Sequence, residues 1–333
     1  MPEGSIIGRS LWPIVLVLLI GYVAADFIRN PFMPSTGSAA VPAIDATLYV
    51  SATEGGSEVE TIAQRAAASL QLHGRAATVK NLVGGTSRSI ADFLATKEPN
   101  DTRLLVVSSA TLAQLVRDRR EKLVPGAAMQ AQIALDELAA SRPIGLLSDD
   151  PLQIGVPQNS AYITTYGLLA TMRADPGEIL FGVADDAFSR ENMAGLVDIA
   201  GVPGNTRFTV FPSGRQATSA MELGDTGAVL ATRSALAPDV RSHQVRALPW
   251  PADHEAPDTW VAVFAPPDVS TARIEAMRSA VRALDRDPRW RKRLQHEGFT
   301  PAELPAAAFP HFLSDRVAEA DRLQRISEAV EAR

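Results

Sequence analysis

The chain of 333 residues carries a formal net charge of −6, with 46% hydrophobic and 21% charged residues. Its length exceeds a typical domain of about 100 to 200 residues and predicts two lobes or one large domain. The composition excludes intrinsic disorder, the dispersed charges exclude a basic surface for nucleic acid, and the absence of cysteine excludes disulfides, thiolate metal sites and thiol nucleophiles.

An uncharged apolar run of 15 residues, 11–25, follows Arg9 near the N-terminus. Its length is typical of the core of a signal peptide, and small residues at its end are spaced for cleavage after Ala25. Extended by a few flanking residues, the run approaches the roughly 20 residues that span a bilayer, so an uncleaved anchor helix stays open. We interpret 1–29 as a signal peptide or transmembrane anchor, and the Pro-, Gly-, Ser- and Ala-rich residues 30–44 as a linker.

Three units of strand, small-residue turn and helix follow the linker. The predicted strands are rich in β-branched residues, and the predicted helices have apolar residues at helical spacing. Such a succession predicts right-handed crossovers and a parallel sheet. The strands are predicted at 46–52, 77–83 and 103–109, and the helices at 57–70, at 87–96 and from Thr111 onward.

The middle of the chain predicts a passage to a second lobe. Two short apolar runs within 144–156 flank the polar residues 148–151, and the alternation of strands and helices then resumes. Ser189 is the predicted N-cap of one of these helices, and a strand at 259–264 leads back to the first lobe. The predicted domains are lobe 1 at 45–148, lobe 2 at 149–258, and a return to lobe 1 with C-terminal helices at 259–333.

The usual sequence signatures of enzymes are missing. The five histidines lack the i, i+4 spacing of a helical metal pair, and no GxSxG, Walker or complete GxGxxG motif occurs. We therefore expect no catalytic residues, no bound metal and no cofactor.

Small residues recur where a predicted strand ends and a predicted helix begins. Unpaired backbone N–H groups at a helix N-terminus favour the binding of an anion. Glycine at such a turn has a second explanation, because it adopts the positive φ angles that a tight turn requires. Because the carboxyl ends of parallel strands share one edge of a sheet, these turns predict a ligand site at that edge. The candidate ligand-binding residues are Gly55, Gly56, Ser57, Gly84, Gly85, Thr86, Ser108 and Ser109.

Four segments of the chain together resemble a known family. They follow the order and spacing of the Bug/TctC-type receptors of tripartite tricarboxylate transporters, and the resemblance covers roughly residues 46–326. It implies a two-lobed periplasmic-binding-protein-like α/β fold with parallel or mixed sheets, which closes on a small carboxylate. The segments are VKNLVGGTSRSIADFLATKEPNDTRLLVVSSATLAQLV, DPGEILFGVADDAFSRENMAGLVDIAGV, FPSGRQATSAMELGDTGAVLA and WVAVFAPPDVSTARIEAMRSAVRALDRDPRWRKRLQHEGFTPAEL.

The chain departs from that family in the loop of the second lobe, 182–189, which is small and glycine-rich in the family. Here it carries Asp185 and Asp186, and carboxylates beside an anion site would repel a dicarboxylate. Either they point outward as a solvated turn, or they recognise the ammonium group of a zwitterionic or cationic ligand. Both aspartates and Ser189 join the candidate ligand-binding residues, with Arg88, Arg190 and Arg215 as candidate countercharges.

These features predict an extracytoplasmic solute-binding protein, in the periplasm or at the cell surface. It would capture a small organic acid or an amino-acid-like ligand and deliver it to a membrane permease. A membrane-anchored sensory or interaction module with the same fold is the alternative, because of the acidic loop and a segment at 241–258 that is shorter than in the family. An enzyme using Asp185 and Asp186 as acid and base is the third possibility.

Overall fold

The computed structural model describes residues 46–51, 58–72, 76–96, 102–122, 124–202 and 206–331. The predicted signal peptide or anchor, the linker and the turn formed by Gly55, Gly56 and Ser57 lie outside the described residues. Within the described residues, no helix combines the length and the apolar character needed to cross a membrane.

The strands of the described residues form one mixed sheet in the order β2-β1-β3-β9-β4-β7-β5-β6, with β8 and β10 also paired to β4. This confirms the α/β class with parallel and mixed pairing. The strands are β1 (Ala46–Val50), β2 (Ala77–Asn81), β3 (Arg103–Ser108), β4 (Arg142–Pro157), β5 (Leu180–Ala184), β6 (Arg207–Phe211), β7 (Ala228–Thr232), β8 (Val245–Leu248), β9 (Asp258–Ala265) and β10 (Thr300–Pro301).

Helices cover both faces of this sheet, and a short 3₁₀ turn at Ala306–Ala308 precedes the last of them. The α-helices of the described residues are α1 (Glu58–Leu72), α2 (Thr86–Ala95), α3 (Ser109–Arg120), α4 (Ala127–Ala140), α5 (Thr165–Ala174), α6 (Ala187–Ala200), α7 (Gly214–Glu222), α8 (Arg233–Arg241), α9 (Thr271–Arg286), α10 (Pro288–Glu297) and α11 (Phe309–Glu331).

The strand β4 joins two halves of the sheet. Its residues 142–151 pair with β9, and its residues 152–157 pair with β7 and β8. We call β1–β3, β9, β10 and 142–151 the first half, and β5–β8 and 152–157 the second half. The polar residues 148–151, which separate two apolar runs in the sequence, continue the strand, so β4 is unbroken from Arg142 to Pro157.

The carboxyl ends of strands from both halves reach the middle of β4. The strand β3 ends at Ser108, which pairs with Val261 of β9, and Val261 pairs on its other side with Ser148. From the second half, β7 ends at Thr232, which pairs with Leu152. We call this region around Ser148 and Leu152 the junction. Ligands of open α/β sheets bind beside the carboxyl ends of the strands, so the junction is the candidate ligand-binding region.

Alternating side chains of each half fill two apolar layers. In β3, Leu104 and Val106 face α1 and α9, whereas Leu105 and Val107 face α2, α3, α4 and α11. The second half is covered likewise, by α5 and α6 on one face and by α7 and α8 on the other. The described residues belong to one compact unit, so the lobe boundaries at 148/149 and 258/259 stay predictions.

Candidate ligand-binding site

Two helices from opposite halves of the sheet begin at the junction and meet there. The helix α3 follows β3 of the first half, and α6 follows β5 of the second half. The two helices pack against each other. Ser109, the first residue of α3, and Phe188, the second residue of α6, line the same pocket. The structure therefore brings the N-termini of both helices to one place.

The N-terminus of α3 is capped by neutral hydroxyl groups. The Ser108 Oγ accepts a hydrogen bond from the Thr111 backbone N–H at 3.2 Å. The next residue, Ser109, is buried, and its hydroxyl has no hydrogen-bond partner among the described residues. The positive end of the helix dipole thus coincides with a hydroxyl that is free to donate to an anion.

The N-terminus of α6 is capped by a carboxyl group of the chain itself. Asp186 accepts the Ser189 backbone N–H at Oδ1 (2.8 Å) and the Ser189 hydroxyl at Oδ2 (2.7 Å). Burial raises the pKa of Asp186, and these hydrogen bonds from Ser189 oppose the rise. The predicted N-cap role of Ser189 is therefore wrong. Asp186 caps the helix because it lies three residues before the N–H that needs an acceptor.

The other aspartate of this acidic loop, Asp185, faces solvent. The exposed Asp185 carboxylate forms an ion pair with Arg190, and the Asp185 backbone N–H donates to the Phe211 carbonyl at 2.7 Å. Of the two predictions for this loop, the outward-pointing, solvated turn holds for Asp185. The Asp186 carboxyl instead points inward and caps its own helix.

The three candidate countercharges already have acidic partners. Arg88 lies 3.6 Å from Asp92 along the same helix, and Arg190 pairs with Asp185. Arg215 pairs with Asp239. An anionic ligand at the junction would have to compete with these carboxylates.

The turn after β2 lies at the edge of the sheet. Gly84 has φ +116°, Gly85 caps α2, and the space where a side chain would stand is open at both. Neither glycine nor Thr86 lines the pocket that Ser109 shares with α6. A ligand-binding role for Gly84, Gly85 and Thr86 stays a prediction.

A glutamate that the sequence analysis missed lies in this pocket. Glu191 is 1% exposed, and neither of its carboxyl oxygens has a hydrogen-bond partner among the described residues. Burial raises its pKa to about 8, although the charge of Arg117 acts in the opposite direction. Glu191 lies three residues after Phe188, on an apolar face of the helix. A carboxyl group on such a face was the sequence signal that could have identified this residue.

Further carboxyl groups surround the junction. The buried Asp150 of β4 accepts the Ser234 backbone N–H at 3.0 Å, and burial raises its pKa to about 7. Burial also raises the pKa of Asp258 at the start of β9 and of Glu319 on α11. The junction is therefore acidic, and a ligand there meets carboxyl groups from several elements.

The C-terminal helix α11 completes the pocket by packing on both α3 and α6. Arg120 of α3 donates hydrogen bonds of 2.8 and 2.7 Å to Glu328, and Arg119 pairs with Asp321. The pocket is narrow in this conformation, with a volume of about 20 Å³, which is enough for about one water molecule. Its lining residues are Ser109, Leu112, Ala113, Phe188, Glu191, Asp258, Trp260, Arg316, Glu319, Ala320 and Leu323.

Comparison with known proteins gives structural matches only. No protein-family model matches the sequence, and neither does any curated protein. The R. palustris protein Rpa4515, solved with adipate, matches with a TM-score of 0.67 and 16% identity over 86% of this chain and 98% of its own. The periplasmic binding protein BugD matches with a TM-score of 0.65 and 15% identity over 86% and 98%. The chain has the fold of the Bug/TctC-type periplasmic binding proteins.

A third structure of this fold is MatC from Rhodopseudomonas palustris, solved with malate, with a TM-score of 0.62 and 16% identity over 85% of this chain and 99% of its own. These matches confirm the Bug/TctC-like fold that the quoted segments implied. At these identities they establish the fold alone. No cluster of three potential metal ligands occurs among the residues that the structure describes.

Proposed function

We propose that this protein is an extracytoplasmic solute-binding protein that captures a small carboxylate-bearing ligand between two lobes for a membrane transporter. The observation that carries the proposal is the meeting of α3 and α6, from opposite halves of the sheet, at one pocket. Backbone N–H groups and hydroxyls at a helix N-terminus bind small anions, and α3 keeps the unpaired Ser109 hydroxyl for one. The protein acts by binding, without catalysis, metal or cofactor.

The fold offers a physical basis for capture. The strand β4 extends through the junction, its neighbour β9 begins there, and both halves present the ends of strands and helices there. A small rotation about these strands would open or close the pocket around a ligand, as in hinge closure. Structures of this fold with malate and adipate make a small organic acid or an amino-acid-like compound a reasonable ligand class.

The proposed compartment rests on the apolar run 11–25 and on the periplasmic binding proteins that share the fold. The alternative, an anchored sensory or interaction module, differs in the fate of this run. Mass spectrometry of the mature N-terminus distinguishes them, since cleavage after Ala25 contradicts a permanent anchor and an intact N-terminus contradicts a released receptor.

A thermal-shift panel of mono- and dicarboxylates, amino acids and amines tests the binding function. A ligand at a hundredfold excess over its Kd stabilises the folded state by about 2.7 kcal/mol, which raises the melting temperature measurably. We expect at least one carboxylate-bearing compound to do so. If no compound in the panel shifts the transition, the proposed function is wrong.

A pair of serine variants locates the site. Ser109→Ala removes the unpaired hydroxyl in the pocket, whereas Ser219→Ala removes an exposed hydroxyl on α7 that donates to the Arg215 carbonyl. We expect Ser109→Ala to weaken the affinity several-fold and Ser219→Ala to leave it unchanged, as measured by isothermal titration calorimetry. Equal affinities for both variants would place the ligand elsewhere.

A further inference from the structure

The strand order from β2 to β6 ends in two edge strands that differ in chemistry. The edge strand β2 carries the exposed Lys80 and Asn81, and a lysine on an edge strand discourages pairing with another chain. The edge strand β6, with the sequence RFTVF, exposes Arg207, Phe208 and Thr209, and Phe208 is 45% exposed. The edge of β6 is therefore apolar beyond its first residue.

The outer side of β6 has unpaired backbone groups. The Phe211 carbonyl accepts the Asp185 backbone N–H, so the backbone groups of Phe211 face β5. Because these groups alternate sides along a strand, those of Thr209 also face β5, whereas those of Phe208 and Val210 face away. Neither Phe208 nor Val210 has a backbone hydrogen-bond partner on that side among the described residues.

The helices of the second half hold β6 in the sheet and leave its outer side accessible. Val210 packs against the apolar layer under α5 and α6, and Phe211 packs against the layer under α7 and α8. Within the described residues, α6 and α7 lie chiefly over β5 and β7. An edge that is both accessible and apolar is a template for a further strand.

We infer that β6 pairs antiparallel with β6 of a second copy of this chain, across a two-fold axis at Thr209. In this register Phe208 lies opposite Val210 of the second copy, and the two residues exchange both backbone hydrogen bonds. The two-fold axis repeats this exchange, so every outward N–H and C=O of these residues gains a partner. No other antiparallel register pairs both residues within the strand.

The side chains across this pairing are also complementary. An aromatic residue opposite a β-branched one, as Phe208 lies opposite Val210, is a favourable cross-strand pair, and so is Thr209 opposite its own counterpart. Arg207 lies opposite Phe211, so its guanidinium meets an aromatic ring and no second positive charge. The edge of β6 therefore fits a second copy of itself.

The inferred contact is small and lies away from the junction. A strand of five residues is about 17 Å long, so the pairing belongs to the small interfaces of weak complexes. We expect a dimer with a Kd of about 1–100 μM. Two strands, β5 and β7, separate β6 from β4, so the inference is independent of ligand binding at the junction.

A single introduced cysteine tests the two-fold axis, because the chain has none of its own. In the inferred register Thr209 forms a non-hydrogen-bonded pair with its counterpart, with Cα atoms about 4.5 Å apart, which is within the range of a disulfide. We expect the full chain with Thr209→Cys, in mild detergent with copper–phenanthroline as oxidant, to form a covalent dimer on non-reducing gels.

Two other single-cysteine variants are the controls. The two copies of Phe208→Cys are offset by two strand positions, so their Cα atoms lie more than about 7 Å apart, beyond disulfide range. Thr78→Cys lies on the exposed edge of β2 and reports random collisions. We expect both to give far less covalent dimer than Thr209→Cys. Equal cross-linking of Phe208→Cys would contradict the register, and equal cross-linking of Thr78→Cys would contradict a specific contact.

Sedimentation velocity of the full chain over about 1–200 μM measures the dimer without cross-linking. The variant Phe208→Lys gives β6 the kind of charge that protects β2 and removes both pairs with Val210, so we expect the Kd to rise about tenfold. Val83→Lys adds the same charge at a residue that is 95% exposed elsewhere and should leave the Kd unchanged. Circular dichroism confirms that both variants are folded.

Three results would overturn the inference. One is a monomer at every concentration, and another is the same Kd in Phe208→Lys and Val83→Lys. The third is a monomer whose Phe208 and Val210 amides are protected from hydrogen exchange, since another segment of the same chain would then occupy the edge. None of these results affects the proposed function, which the thermal-shift panel tests separately.

Discussion

The helices α3 and α6 both follow a parallel strand and both begin at the junction, yet their first turns differ in chemistry. Ser108 caps α3 with a neutral hydroxyl, and the hydroxyl of Ser109 stays unpaired. Asp186 caps α6 with a carboxyl group, and Glu191 follows about one turn later. The dipole of α6 is thus satisfied by the chain, whereas α3 retains capacity for an external anion. The same strand–turn–helix arrangement therefore gives the pocket two different sides: one helix N-terminus that can accept an anion, and one that is already capped by a carboxyl group.

The largest expected effect concerns Glu191 and pH. Its pKa is raised from 4.5 to about 8, so the folded state holds the proton more tightly than the unfolded chain. Its contribution to stability is present below pH 4.5 and is lost as the pH rises toward 8, a difference on the order of 4 kcal/mol. We expect Glu191→Gln to reduce the fall in unfolding free energy between pH 5 and pH 8 by a large part of that amount.

Urea unfolding at both pH values measures this difference, with Glu275→Gln as the control. Other buried carboxyls with raised pKa values, among them Asp150 and Asp285, remain in both variants and cancel in the comparison. The same pH dependence in Glu191→Gln and in the unmodified chain would contradict the burial of an ionisable Glu191.

The two caps should differ in their contribution to stability. Asp186→Ala leaves both the N–H and the hydroxyl of Ser189 without their acceptor and should cost about 1–2 kcal/mol. Asp186→Asn keeps one acceptor and should cost less. Ser108→Ala removes two longer hydrogen bonds, from the Thr111 backbone N–H at 3.2 Å and with the Thr111 hydroxyl at 3.1 Å, and should cost about 1 kcal/mol or less. The midpoints of urea unfolding rank the three variants by stability. A greater loss of stability in Ser108→Ala than in Asp186→Ala would contradict the expected difference between the two caps.

A smaller effect is expected at the surface of the acidic loop. Arg190→Ala breaks the ion pair with Asp185, in which both side chains are partly exposed. Solvent screens such pairs, so the unfolding free energy should change by less than about 1 kcal/mol. Repeating the measurement in high salt should remove most of the difference, and a difference that persists in salt would indicate a structural role for Arg190 beyond its charge.

The smallest effect is expected for Ser109→Ala in the absence of ligand. The hydroxyl is buried without a partner, so its removal should change the unfolding free energy by no more than about 0.5 kcal/mol. Together with Ser108→Ala, this separates a hydroxyl that caps the helix from one that is available to a ligand. A clear loss of stability in Ser109→Ala would reveal a structural hydrogen bond.

The sequence predicted the first half of the fold closely, because its strands are compact runs of β-branched and aliphatic residues. The strands β1, β2 and β3 begin at the predicted residues and end within two residues of the predicted ends. The helix α4 was not predicted, since its alanine-rich sequence offers little contrast between buried and exposed positions. The continuity of β4 was missed because Asp150 resembles a turn residue until its partner Ser234 is known.

The site was harder to predict than the fold. Ser108 and Ser109 were recognised as candidates because small residues end a predicted strand, and Asp186 because the family resemblance pointed to the loop 182–189. Glu191 was not, because its burial depends on α3 and α11, which lie far from it in the sequence. A polar residue within an apolar helical stripe acquires meaning only when the elements that cover it are known.

The path of β9 has a consequence for how the chain acquires its structure. The second half of the sheet is built from the contiguous residues 152–248. The first half is completed by β9, which lies between β3 and β4 but begins about 150 residues after the end of β3. Such long-range pairing slows folding. A nascent chain that ends before Asp258 has β3 and β4 without the strand that joins them, so the pocket lined by Ser109 and Trp260 cannot form until the C-terminal part of the chain has been made.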